Sequence, residues 1–223
     1  MLVAIEGGDG AGKATAAAEI ARQLNAAGRS ATVISFPRYG ETAGGWVLGE
    51  YLGGRLPREV SPRAAAVLYA LDRLESRDAL MAAESGHEVV VLDRYIASNL
   101  VYQAAKVAAE EAADLMRWIW TLETGQFALP SPDLSVFLAT PVDVARRQIA
   151  MKRQRSYTDA TFDLNEADAA LQARVRENYA ELAAADYAGR WVTVATVADV
   201  GMRPPGEIAA EVVAALSLQE RVA

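Results

Sequence analysis

The sequence predicts an α/β fold, a five-stranded parallel sheet flanked by helices. Three observations carry this expectation. Five short apolar runs rich in β-branched residues are spread along the chain, helical patterns fill the intervals between them, and a glycine-rich loop follows the first run directly.

The elements follow in order. Residues 2–5 read as a buried strand, and the alanine-rich segment 12–27 as the helix after the glycine loop. A second strand at 31–36 precedes a long helical pattern over 62–85, and a third strand at 88–92 precedes a broken helical stretch from 97 to 127. A fourth strand at 134–139 leads into a helix from 141 to about 153, then a helix over 165–185, a fifth strand at 191–197 and a last helix at 207–218. Ligands of such sheets gather at the carboxyl ends of the strands. Asp9, Pro37-Arg38-Tyr39 and Asp93-Arg94-Tyr95 all follow strand ends.

The chain has 223 residues, 52% hydrophobic and 23% charged, which suits a single domain over 1–223 with a sizeable core. Its net charge of −7 disfavours long-range attraction to polymeric nucleic acid or to an anionic membrane, so any phosphate must meet a local positive site. With no cysteine, disulfides, thiol catalysis and cysteine metal sites are excluded. Met1-Leu2-Val3 runs straight into the first strand and no apolar run approaches bilayer length, so a cytoplasmic enzyme is expected.

Glu6-Gly7-Gly8-Asp9-Gly10-Ala11-Gly12-Lys13 carries the chemistry. Gly7, Gly12 and Lys13 have the spacing of a phosphate-binding loop, with a strand before and a helix after. Glycines let successive N–H groups turn inward, the helix offers its positive end, and Lys13 adds a mobile cation. Residues 7–15, namely Gly7, Gly8, Asp9, Gly10, Ala11, Gly12, Lys13, Ala14 and Thr15, are therefore expected to bind a nucleoside triphosphate. Ala14 stands where a hydroxyl normally ligates magnesium, and the hydroxyl comes one place later at Thr15. Asp93, closing the third strand, is placed to reach a magnesium ion or its waters, and Arg94 suits a second anion through its planar fork. A salt bridge capping the strand is the alternative for this pair, and an ordinary helix cap the alternative for Ser98-Asn99. His87 reads as a surface residue. Trp118 and Trp120 suit packing or a subunit contact.

With this loop stand Phe36-Pro37-Arg38-Tyr39-Gly40, Leu71-Asp72-Arg73, the run from Asp93-Arg94-Tyr95 to Tyr102-Gln103, and Leu129-Pro130-Ser131-Pro132-Asp133. In this order and spacing the blocks resemble thymidylate kinases, particularly the actinobacterial branch, over most of the chain. The resemblance implies a P-loop nucleoside monophosphate kinase fold with a mobile lid at about 146–163, ATP as phosphoryl donor, Mg2+, thymidine monophosphate as acceptor and a homodimer built from helix faces. It implies that Tyr69 stacks on thymine, that Arg73 and Asn99 bond its edge, and that Tyr102 crowds the sugar, with Ser98 beside them. Asp9 would accept from the 3′-hydroxyl or help hold magnesium. Arg94, with Arg38, would grip the acceptor phosphate, and Phe36 and Tyr39 would wall the pocket. Gly10-Ala11-Gly12 leaves no arginine in the loop, so the lid must supply one: Arg153 first, Arg155 second. Glu166 would approach the magnesium or the sugar.

Two other readings compete: a kinase for another deoxynucleoside monophosphate, and a P-loop ATPase switch. Arg94 favours an acceptor that already carries phosphate. No lysine stands in an Asn-Lys-x-Asp context, and the loop contains no second lysine.

Overall fold

A computed structural model of the chain describes residues 1–151, 163–199 and 201–220. Five strands, β1 (Leu2–Glu6), β2 (Ala31–Ser35), β3 (Val89–Asp93), β4 (Leu134–Ala139) and β5 (Trp191–Ala195), form one parallel sheet in the order β2-β3-β1-β4-β5. The helices are α1 (Lys13–Ala26), α2 (Ala43–Leu52), α3 (Pro62–Glu75), α4 (Arg77–Gly86), α5 (Ile96–Ala104), α6 (Ala109–Trp120), α7 (Val142–Met151), α8 (Leu164–Ala167), α9 (Ala169–Ala184) and α10 (Pro205–Glu220). A two-residue antiparallel pair, β6 (Val197–Ala198) with β7 (Gly201–Met202), follows β5. No helix among the described residues is long and apolar enough to cross a membrane.

The strands are mostly apolar because helices cover both faces. Period two sorts their residues between two cores. Val3, Ile5, Val91 and Val136 pack under α1 and α10 with Ile20, Leu24 and Val212, while Leu2, Ala4, Val90 and Leu92 pack with Leu100, Ile119, Val175 and Tyr179 on the other face. Central β1 has β3 and β2 on one side and β4 and β5 on the other. This reversal of strand order opens a crevice at the carboxyl end of the sheet.

The single helix expected over 62–85 is two. They break at Ser76, whose hydroxyl donates to Asp72 O at 2.7 Å and so competes with the helical ladder. The stretch 97–127 resolves into α5, α6 and a π-helical turn, Thr121–Gln126. Helix α2 had no sequence signal, because Gly44 and Gly45 read locally as breakers. They are there for close approach. A Cβ on Gly44 would lie 2.5 Å from Asp72 N of α3, and one on Gly45 would lie 2.2 Å from Arg38 O. Thr42 caps this helix, its hydroxyl accepting from Gly45 N at 2.8 Å.

Candidate active site

The loop after β1 turns into α1 through Gly12, which takes a left-handed conformation at φ 88°. The first turn of α1 holds no acidic side chain to offset its positive end, and buried Lys13 begins it. Lys13 Nζ donates to Gly8 O at 2.7 Å. Gly10 tolerates no substitute: its φ is +80°, and a Cβ there would lie 2.2 Å from Ala145 O of α7. Above the loop opens a cavity of about 380 Å³. Asp9, Gly10, Gly12, Lys13 and Ala14 line one end, Phe36, Tyr39 and Tyr69 an aromatic wall, Asp93, Arg94, Ser98 and Tyr102 the strand-end side, and Asp163, Asn165 and Glu166 the margin of α8.

Asp9 is the hub. Its Oδ1 receives Arg94 Nη2, and its Oδ2 receives the Tyr102 hydroxyl at 2.7 Å and Gln172 Nε2 at 2.8 Å. Gln172 Oε1 accepts in turn from Asp9 N at 3.2 Å, so one amide grips both the side chain and the backbone of Asp9. Burial would raise the Asp9 pKa, but Arg94, Lys13, Tyr102 and Gln172 outweigh it and hold it at about 2. Arg94 keeps its charge well above the ordinary range: burial opposes this, and Tyr102, Asp9 and Tyr179 override it. Burial first, then the Asp9 charge, raises Tyr102, which is therefore a neutral donor. Arg94 sits at φ 66°, an uncommon conformation for a residue with a side chain, and donates its N–H to Ile5 O at 3.0 Å. Its guanidinium lies 5.4 Å from the centre of the Tyr102 ring.

Beneath this hub is a layer that sequence reasoning missed. Glu6, fully buried at the end of β1, accepts from Tyr95 N at 2.8 Å, from Ser98 Oγ at 2.7 Å and from Tyr179 OH at 2.8 Å. It ties the start of α5 and the middle of α9 to the central strand. A carboxylate ending an otherwise apolar buried run was the one available signal. Gln172, Asp163 and Asn165 gave none.

The sequence-derived residues divide. Lys13, Asp9, Gly10, Gly12, Ala14, Phe36, Tyr39, Tyr69, Asp93, Arg94, Ser98, Tyr102 and Glu166 come together around the one cavity. Gly7, Gly8 and Ala11 shape the loop from behind, Gly8 and Ala11 lining a small void against α7. Thr15 is exposed on α1 and does not line the cavity, since one residue turns a helix by about 100°. Arg38 is drawn aside: its guanidinium pairs with Glu41 and its N–H donates to Asp72. Arg73 and Asn99 do not line the cavity either. Arg73, 2% exposed, gives Nε and Nη2 to Glu123 at 2.5 and 2.6 Å, and Asn99 Nδ2 reaches Glu123 at 2.8 Å and Ala66 O at 3.0 Å. Asn99 Oδ1 and both amide atoms of Gln103 are buried without a partner among the described residues. Arg153 and Arg155 lie outside the described residues, as does most of the expected lid. Arg147, within the expected lid, belongs to α7 and pairs with Asp143 at 3.0 Å.

For magnesium the sequence offered Asp9, Asp93 and Glu166. All three line the cavity, but no cluster of three acidic or histidine side chains closes among the described residues. Glu166 forms a capping box with Asp163: its carboxylate accepts from Asp163 N at 3.2 Å, and its own N–H donates to Asp163 Oδ1 at 3.0 Å. Magnesium is commonly held by one or two carboxylates plus substrate phosphates, and this donor set fits that pattern.

Comparison with known proteins gives the family. Residues 5–200 match the family described as Thymidylate kinase. A thymidylate kinase of Mycobacterium tuberculosis is 39% identical over 211 residues, 94% of this chain and 96% of that one. One from Leifsonia xyli is 35% identical over 217 residues, covering 95% and 92%. The solved structure of a thymidylate kinase from Candida albicans superposes with a TM-score of 0.74 at 22% identity, over 98% of this chain and 92% of that one, and so supports the fold. With the phosphate-binding loop, the Asp9–Arg94 hub and these matches in agreement, the chain belongs to the thymidylate kinase family.

Proposed function

We propose that this chain transfers the γ-phosphoryl group of ATP to thymidine monophosphate, giving ADP and thymidine diphosphate. One observation carries the reading: a single cavity holds Lys13 of a phosphate-binding loop and, across it, Arg94 beside an aromatic wall. This provides one cation for the donor and one for an acceptor that already bears phosphate.

An oxygen of the acceptor phosphate forms the new bond to the γ-phosphorus, and the bond to the β–γ bridging oxygen breaks, its electrons leaving with ADP. Such transfer needs positioning and positive charge more than covalent participation by the protein. Lys13 and the α1 N-terminus hold the donor phosphates. Arg94 takes the acceptor phosphate in competition with Asp9, and Asp9 then serves the 3′-hydroxyl or the metal. Tyr69 stacks on the base, Phe36 and Tyr39 close the wall, and Ser98 and Tyr102 border the sugar. Mg2+, held by Asp9, Asp93 or Glu166 with the phosphates, would neutralise charge on the transferring group. The lid over about 146–163 supplies the remaining cation, Arg153 before Arg155. A homodimer through α3 and α6 is supported by Val67, an apolar side chain left 41% exposed on α3.

The test is ATP consumption with saturating magnesium against thymidine, thymidylate, deoxyuridylate, deoxycytidylate and adenylate, with Arg94→Ala as control. Turnover should be strongest on thymidylate and collapse in the variant. Equal turnover without any acceptor would move the ATPase switch ahead.

A further inference from the structure

Asp72 of α3 is fully buried, and nothing above gives its carboxylate a task. No cation bonds it among the described residues: the Arg38 guanidinium goes to Glu41 and the Arg73 guanidinium to Glu123. Burial pushes this carboxyl above its ordinary value, by more than the Thr42 hydroxyl, the Arg38 N–H and the charges of Arg73 and Arg38 pull it down. A folded-state value above the unfolded one means that the ionised carboxylate costs the fold stability near neutral pH. Its place in the core needs another reason.

The bonds it makes supply one. Both carboxylate oxygens accept from Arg38 N at 3.2 Å, and Oδ1 also accepts from the Thr42 hydroxyl at 2.5 Å. The turn between these two residues closes on itself, Glu41 N and Thr42 N donating to Arg38 O at 3.0 and 3.3 Å. Glu75 of the same helix accepts from Gly44 N at 2.8 Å. Phe36 and Tyr39, on either side of Arg38, line the cavity, and so does Tyr69, three residues before Asp72. Helix α3 therefore carries both Tyr69 and the carboxylate that ties down the facing wall.

We infer that Asp72 is a positioning residue that sets the width of the acceptor pocket. It holds the Phe36–Tyr39 segment against the helix of Tyr69 through Arg38 N and the Thr42 hydroxyl. This rests on the reading of that end of the cavity as the acceptor site. Asp72 touches no substrate; a pocket is only as well shaped as the bonds behind its walls. The phosphate loop stands at the other end of the cavity, between β1 and α1, so the donor should feel little of the change. In Asp72→Asn one of the two accepting oxygens becomes a donor, and Arg38 N–H and the Thr42 hydroxyl then compete for a single oxygen.

The experiment measures KM for thymidylate and for ATP in the full chain and in Asp72→Asn, Thr42→Val and Thr42→Ser. Asp72→Asn should raise the thymidylate KM about tenfold and leave the ATP KM within about twofold. Thr42→Val, close in shape but without the hydroxyl, should raise the thymidylate KM about threefold, and Thr42→Ser, which restores the hydroxyl, should stay within about twofold of wild type. If Asp72→Asn does not fold, the Thr42 variants decide: a thymidylate KM in Thr42→Val equal to that of wild type overturns the inference. Both KM values rising together, kcat falling alone, or a serine variant as damaged as the valine would make Asp72 a structural strut and also overturn it. A wild type that consumes ATP equally without thymidylate sinks the acceptor reading and the inference with it. A thymidylate-dependent wild type whose KM is unmoved in every variant sinks the inference alone.

Discussion

Asp9 and Arg94, 85 positions apart, form an ion pair across the carboxyl ends of β1 and β3. The pair has a pH signature. The Asp9 pKa is lowered from its ordinary 3.8 to about 2. A folded-state value below the unfolded one means the carboxylate stabilises the fold above about pH 4, and that this contribution is lost as pH falls through about 2. Its size is about 2 kcal/mol. Urea unfolding of the wild type and of Asp9→Asn should therefore show a stability gap about 2 kcal/mol smaller at pH 2 than at pH 6. A gap that stays constant across that range would deny the ion pair its role in the fold.

Gln172 is the second prediction. Its amide holds the Asp9 carboxylate and backbone and also donates to Asn165 O at 3.0 Å, linking the phosphate loop to α8. Gln172→Ala should lower kcat/KM for thymidylate about tenfold, the worth of one well-placed hydrogen bond. Gln172→Glu, setting a like charge against Asp9, should cost about a hundredfold. Steady-state kinetics with circular dichroism as a folding control would check this, and wild-type activity in the glutamate variant would refute it.

What the sequence disclosed and what it hid differ by the range of the physics. The phosphate loop was legible because phosphate dictates its glycine and lysine spacing within eight residues, and the Asp93-Arg94 pair because it abuts a strand end. Gln172 was invisible, since it meets Asp9 across 163 positions and nothing near it in sequence marks the contact. Helix α2 was hidden for a related reason: local propensity counts Gly44 and Gly45 against a helix, while packing against Asp72 and Arg38 requires them. The π turn at Thr121–Gln126 departs from the 3.6-residue period, so pattern reading gave no register for Glu123.

The close approach at α2 yields a direct stability test. Gly45→Ala would bring a Cβ to 2.2 Å from Arg38 O, backbone that cannot move without shifting the Arg38 turn. Overpacking of this kind should destabilise by about 1–3 kcal/mol. Gly86→Ala, where a Cβ meets nothing within 4 Å, should stay within about 0.5 kcal/mol of wild type. Equal thermal shifts in the two variants would remove the steric account of the glycine pair.

Glu6 gives the last prediction, in which two substitutions at one position separate charge from hydrogen bonding. Glu6→Ala strands Tyr95 N–H, Ser98 Oγ and Tyr179 OH in a buried site and should cost about 3 kcal/mol. It should also impair thymidylate binding, because the start of α5 that follows Arg94 loses its anchor. Glu6→Gln is expected to be far milder, about 1 kcal/mol. The glutamine oxygen still accepts from Tyr95 N–H. Its NH2 donates to one hydroxyl, and because Ser98 Oγ and Tyr179 OH already lie 2.8 Å apart, the displaced proton has a neighbour to bond. Chemical denaturation of both variants, with KM for thymidylate measured alongside, decides the matter. A glutamine variant as damaged as the alanine would show that the negative charge of Glu6, more than its hydrogen bonds, holds α5 against β1.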